Sequence, residues 1–208
     1  MKNRRLYIIL LLSFFFLANE AVIAQNRTKE NSINLQWIEM GPNNYGGRTR
    51  AMIIDKNNPE VMFIGGIASG LWKSEHGGSS WKKVTNSDLF DNIAVSCLYQ
   101  APNGDIYFGT GEYFGFDNNL GIAGNGIWKS TDGGNTWTQL SSTNNNEAFK
   151  YVSEITGTSN KLYVATYKGL MISTDGGQTW TNPIPSSDPN FDKPATDVKV
   201  STDGSLVL

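Results

Sequence analysis

Glu112 and Asp117 are the two carboxylates best placed for chemistry, because Tyr113, Phe114 and Phe116 lie between them in one glycine-bounded loop. Hydrolysis of a glycosidic bond uses two such groups, about 5–5.5 Å apart for retention and about 6.5–9.5 Å apart for inversion. Aromatic rings beside them would serve as platforms for sugar rings. A plainer reading stands next to this one. Glu112 closes a strand end by accepting backbone N–H groups or by pairing with Arg48, and the three rings pack the loop onto its neighbour. Arg48 and Arg50 alternate around Thr49, so both point to the same face of an extended segment. They could hold an anionic ligand group, or pair with a rim acid such as Glu112.

Other chemistries lack their residues. The chain of 208 residues has one histidine, His76, and one cysteine, Cys97. Cys97 sits in the apolar run Ile93-Ala94-Val95-Ser96-Cys97-Leu98, which suits a buried thiol rather than a nucleophile, and it can form no internal disulfide. Phosphate loops, Cys/His metal spacings, calcium loops and a Ser-His-Asp order are all missing. No metal and no cofactor is expected. The formal charge of −2 argues against nucleic acid, whose binding rests on lysines and arginines neutralising phosphates.

The amino terminus reads as an export signal. Lys2, Arg4 and Arg5 precede an apolar run of 12 residues, Leu6 to Leu17, and Val22-Ile23-Ala24 supplies a small residue for cleavage. That run is too short for a bilayer, which takes about 20 residues. A signal peptide over residues 1–24 is expected, leaving a secreted or surface chain with no membrane span. Its loss takes Lys plus Arg from 17 to 14 and Asp plus Glu from 19 to 18, for a net charge of −4.

The elements that must position these residues recur along the chain. Gly70-Leu71-Trp72-Lys73-Ser74, Gly126-Ile127-Trp128-Lys129-Ser130 and Gly169-Leu170-Met171-Ile172-Ser173 each lead through a glycine turn to a tryptophan, Trp81, Trp137 or Trp180. An apolar strand precedes each, and Phe63 to Tyr107 and Tyr163 to Val207 are both 44 residues apart. Tyr107 to Tyr163 is 56, so about a dozen extra residues enter one loop between Thr110 and Gly126. First strands are expected around Ile53, Cys97, Ile155 and Val198, and last strands from each tryptophan. Second strands such as Val61-Met62-Phe63-Ile64 are apolar at successive positions, which fits a sheet covered on both faces. Four short strands in about 44 residues describe an all-β propeller of four-stranded antiparallel blades.

Trp37 stands 44 residues before Trp81, which makes residues 35–42 an outer latch strand after a linker at 25–34. Blades then cover 47–85, 92–140 and 150–183, and a fourth begins at 195–208. The ring is therefore expected to be incomplete, with its remaining blades beyond Leu208.

The turns are the most specific signal. Ser130-Thr131-Asp132-Gly133-Gly134-Asn135-Thr136-Trp137 and Ser173-Thr174-Asp175-Gly176-Gly177-Gln178-Thr179-Trp180 share Ser-x-Asp-x-Gly-x-Thr-Trp, and the first copy has His76 in place of Asp. A short carboxylate can accept bonds from turn N–H groups while the indole covers the hairpin. These residues resemble the Asp-box, or bacterial neuraminidase repeat, propellers over about residues 35–208. Sortilin-like and xyloglucanase-like members are nearest, together with exported bacterial proteins carrying Gly41-Pro42…Gly46-Gly47-Arg48 and Gly109-Thr110-Gly111-Glu112 segments. The resemblance implies that Ser130, Asp132, Gly134, Thr136, Trp137, Ser173, Asp175, Gly177, Thr179 and Trp180 are structural. Sialidases use three arginines from different blades, and that set is missing from this segment. Xyloglucanases carry an acid near the end of a first-blade strand, where Ile64-Gly65-Gly66-Ile67 has none.

Antiparallel order places the loop at 111–126 on one face with Arg48 and the connections at 138–150 and 181–194, opposite the Asp turns. Long loops at one end of a scaffold are where function collects. The expected function is a binding module for protein or polysaccharide, with Arg48, Arg50, Tyr113, Phe114 and Phe116 as ligand contacts. The alternative is the amino-terminal part of a glycoside hydrolase, with Glu112 and Asp117 as catalytic candidates.

Overall fold

Among the described residues three antiparallel sheets follow one another, each taking its strands in sequence order from one repeat. The structure, a computed structural model, describes residues 48–84, 93–113, 121–185, 193–201, 203–205 and 207–208. The expected signal peptide, linker and latch strand with Trp37 lie outside the described residues, as do Gly41 to Gly47, Phe114, Phe116 and Asp117. Among the described residues no helix is long and apolar enough to cross a membrane.

Sheet one holds β1 (Thr49–Ile54), β2 (Met62–Gly66), β3 (Gly70–Ser74) and β4 (Lys82–Lys83). Sheet two holds β5 (Val95–Gln100), β6 (Ile106–Thr110), β7 (Ile127–Ser130) and β8 (Thr138–Gln139). Sheet three holds β9 (Val152–Gly157), β10 (Leu162–Thr166) and β11 (Gly169–Ser173). Its fourth strand is reduced to one bridge, Ile172 to Thr181, and the fourth repeat shows one bridge, Val200 to Val207. Two expectations need correcting. The outer strands start one residue after the tryptophans and are short, two residues in sheets one and two and a single bridge in sheet three. In the fourth repeat pairing is at Val200, while Val198 is buried against Tyr163 and Ala165.

The middle strands explain the layering. β6 and β10 are buried at every residue, so each presents apolar side chains to both neighbours. Phe63 and Leu71 of sheet one meet Leu98, Ile106, Phe108, Trp128 and Trp137 of sheet two in one cluster. The opposite face of sheet two, through Cys97, Tyr107 and Ile127, meets Val152, Ile155, Leu162 and Val164 of sheet three. Burial raises the Cys97 thiol to about 12, which keeps it protonated and unreactive. Polar bonds stitch the inner edges: Gln100 Nε2 donates to Asp55 at 2.8 Å, and Lys56 N donates to Gln100 at 2.8 Å.

Each innermost strand has a register shift at the same place, passing over Arg50, Ser96 and Ser153. Such bulges re-aim a side chain and add twist.

The Ser-x-Asp turns are closed by their own side chains. Asp132 Oδ1 accepts the Asn135 and Thr136 N–H groups at 3.0 and 2.9 Å, and Oδ2 accepts the Thr136 hydroxyl at 2.6 Å. Ser130 Oγ accepts the Gly134 N–H at 2.8 Å. Asp175 repeats the pattern with Gln178 and Thr179. In the first repeat Ser74 Oγ still accepts the Gly78 N–H at 2.9 Å, and in place of the carboxylate bonds His76 Nδ1 and the Ser80 hydroxyl share one hydrogen bond at 3.1 Å. Trp81, Trp137 and Trp180 occupy the equivalent place after each turn. Trp137 packs edge-on against Phe63 of the preceding sheet, and Trp180 packs at a tilt against Phe149 in the connection between sheets two and three.

Hydrogen bonds from Thr136 and Thr179 hold the Asp132 and Asp175 carboxyls well below the usual carboxylate range. A carboxylate whose folded value is depressed stabilises fully above its unfolded value, about 3.9, and loses that contribution as pH falls through the folded one. Unfolding followed by circular dichroism between pH 6 and pH 2 should therefore show stability falling below about pH 4. Asp132→Asn with Asp175→Asn should flatten that part of the fall, and an unchanged profile would contradict the turn geometry.

Candidate functional site

Glu112 lies just past the end of β6, where the long loop leaves the sheet. Its backbone pairs with Ile122 in both directions, at 2.8 Å each, so the loop starts as a small extension of the hairpin. The side chain is 5% exposed and turns towards β1. Arg48 donates from Nη2 to Glu112 Oε2, and Arg50 Nε stands 3.8 Å from Oε1. Both arginines remain about half exposed, at 52% and 48%. The bulge at Arg50 allows two guanidinium groups to converge on one carboxylate. Of the two plain readings of Glu112, the geometry is that of an ion pair; the backbone N–H groups nearby are used in strand pairing.

Tyr113 is the next residue and packs on sheet three. Its ring centroid is 4.9 Å from that of Tyr167 and 5.7 Å from that of Tyr151, and the latter two stand edge-on at 5.7 Å. Tyr151 and Tyr167 are buried, and Lys150 and Lys168 reach over their outer faces at 5.7 and 4.9 Å. The Gly124 N–H bonds to Lys150 O at 2.9 Å, which ties the loop to the connection between sheets two and three. Arg48, Arg50 and Glu112 are thus brought together, while Tyr113, the next residue, joins Tyr151 and Tyr167 on sheet three.

Sequence reasoning missed three members of this region. Tyr151 and Tyr167 come from two different connections and share no motif. Glu154 occupies the place on β9 that Ala51 and Cys97 hold on β1 and β5, so an acid replaces a small apolar residue. Desolvation raises the Glu154 carboxyl above its ordinary value, against the pull of Lys199 at 3.5 Å. A charged residue at a small-residue position within a repeat is the signal that could have revealed it. Among the described residues no group of three or more His, Cys, Asp and Glu side chains is gathered as metal ligands are.

No protein-family profile and no curated protein sequence matches the chain. Solved structures do. An ancestral GH74 enzyme superposes over 77% of this chain and 21% of its own, with a TM-score of 0.60 and 22% identity. YCF48 from Cyanidioschyzon merolae covers 70% of this chain and 42% of its own, at a TM-score of 0.51 and 15% identity. YCF48 bound to D1 peptide covers 76% and 46%, at 0.51 and 16% identity. The chain therefore spans about a fifth of the first and less than half of the others. These likenesses carry the fold: the protein is built as a β-propeller of antiparallel four-stranded sheets.

Proposed function

We propose that this chain is an exported binding module of the Asp-box type, whose long-loop face takes a protein or polysaccharide ligand. The observation behind it is the Arg48–Glu112–Arg50 cluster at the point where the long loop leaves β6. Both oxygens of the carboxylate are engaged by arginines, which suits a recognition surface better than an acid or nucleophile that must face a scissile bond. The exposed halves of the two guanidinium groups would supply planar, charged donors for a carboxylate or amide oxygen. The solved YCF48 complex with a peptide supports a propeller of this kind taking a protein partner. Removing one charge-assisted contact costs about 1.5–3 kcal/mol, or roughly ten- to a hundredfold in affinity. Peptide and glycan arrays probed with the full chain should therefore give ligands that Arg48→Gln and Arg50→Gln each weaken by about tenfold or more. Ligands bound equally by both variants would remove the arginines from the site.

The likeness to an ancestral GH74 enzyme favours a second reading, the amino-terminal part of a glycoside hydrolase using Glu112. Reducing-end assays on a polysaccharide panel decide between them. Sugar release by the wild type that disappears in Glu112→Gln establishes the hydrolase and ends the binding-only reading.

A further inference from the structure

The hairpin β3–β4 carries a charge arrangement that its two relatives lack. Lys73 and Lys82 are direct cross-strand partners, where sheet two pairs Lys129 with Thr138 and sheet three pairs Ile172 with Thr181. Like charges directly opposite destabilise a strand pair. The turn beside them has also exchanged Asp for His76, and the position after Lys82 is Lys83 where the equivalents are Gln139 and Asn182. At positions 76, 82 and 83 the formal charge with neutral histidine is therefore +2, against −1 at the same three places in each of the other repeats. A mildly acidic chain has gathered cations at one outer edge, at a cost to that hairpin. Local conflict of this sort is where a fold gives up stability for function.

These side chains line a cleft of about 430 Å³ between the first hairpin and the second turn, within the size range of ligand sites, about 300–1,000 Å³. Lys82 and Lys83 form one wall with the half-buried indole of Trp81 and the Ser80 hydroxyl. Asn135 forms the other, and its Oδ1 accepts from Lys73 Nζ at 3.0 Å. Glu75 takes part of the Lys73 charge at 2.9 Å and is itself held below its ordinary value by that bond. Lys83 has no ion pair among the described residues.

We propose that this cleft is a second binding site, distinct from the long-loop face, for an acidic polysaccharide carrying carboxylate or sulfate groups. The ammonium groups match the anions, the hydroxyl and amide match sugar hydroxyls, and the indole offers an apolar face to a sugar ring. An acidic peptide would meet the charges without using the indole. Lysines on an outer strand also discourage edge-to-edge pairing, and the test separates that role from binding.

The full chain is titrated by calorimetry with oligogalacturonate, with a sulfated oligosaccharide, with oligoglutamate and with a neutral glucan oligomer. Binding of one or both acidic sugars is expected, weakened by salt, and at least tenfold tighter than oligoglutamate or the neutral sugar. Lys82→Gln with Lys83→Gln should abolish it while the variant stays monomeric on gel filtration, and Trp81→Phe should weaken it several-fold. Arg48→Gln should leave it unchanged, so the site stands or falls independently of the long-loop face. Equal binding by the lysine variant, tighter binding of oligoglutamate, no binding of either acidic sugar, or self-association as the sole effect of the lysine variant would each overturn the proposal.

Discussion

Replacing Phe108 with alanine should lower stability by about 3–5 kcal/mol, the usual cost of emptying an aromatic site in a close-packed core. Phe108 is fully buried on β6 and stacks on Trp128 with centroids 6.1 Å apart and planes 8° from parallel. It also meets Trp137 at 4.9 Å, so one ring holds the third strand and the turn tryptophan of its own sheet. All three belong to the cluster shared with sheet one, and loss of the ring leaves both sheets facing a void. For a domain of this size each kcal/mol is worth about 2–4 °C in Tm, so thermal unfolding should fall by roughly 6–20 °C. Phe108→Leu, which fills more of the space, should recover much of the loss. A Tm within a degree or two of wild type for the alanine variant would mean that the sheets do not share this cluster.

The second large effect comes from a pair of neighbouring glycines that differ only in surroundings. Gly133 and Gly134 have φ of +70° and +78°, so alanine at either carries the left-handed penalty of about 1–2 kcal/mol. A Cβ on Gly133 meets nothing within 4 Å, whereas one on Gly134 would lie 2.3 Å from Phe63 Cζ. Phe63 is fully buried and already braced by Trp137, so it cannot withdraw. Overpacking of this kind adds about 1–3 kcal/mol. Gly134→Ala should then cost about 2–5 kcal/mol and Gly133→Ala about 1–2 kcal/mol. Denaturation midpoints measured side by side check the difference, and equal values would show that the turn does not rest on sheet one.

How much of this was legible depended on how local the chemistry is. The Ser130–Asp132–Thr136 turn could be read because each partner lies within a few residues of the next, and the pattern repeats at Ser173, Asp175 and Thr179. The two-faced burial of β6 and β10 was legible for the same reason, as runs such as Ile106-Tyr107-Phe108 leave no side for water. The pairing of Glu112 with Arg48 could be named because both sit at strand ends on the same face. A second arm from Arg50 was named on the same ground, but the bulge in β1 at Arg50 is announced by no residue type. Tyr151 and Tyr167 went unseen because they converge on Tyr113 from separate connections. The opposition of Lys73 and Lys82 required the register across a glycine turn, which adjacency in the sequence does not supply. Outer strands were overestimated because Thr138 and Thr181 look like good strand residues, yet they stand at an edge with one neighbour.

The leaning of each turn on the sheet before it gives the molecule a direction. Gly134 and Trp137 rest on Phe63, and Gly177 lies against Leu140 while Trp180 donates from Nε1 to Ser142 Oγ at 3.0 Å. A repeat is therefore finished not by its own residues but by those made about one period later. During synthesis from the amino end, the newest sheet always waits for its successor to cover it. A ribosome stalled between Trp137 and Trp180 would hold a chain with sheet two half clothed, the stage at which a chaperone or a stray neighbour has most to grip.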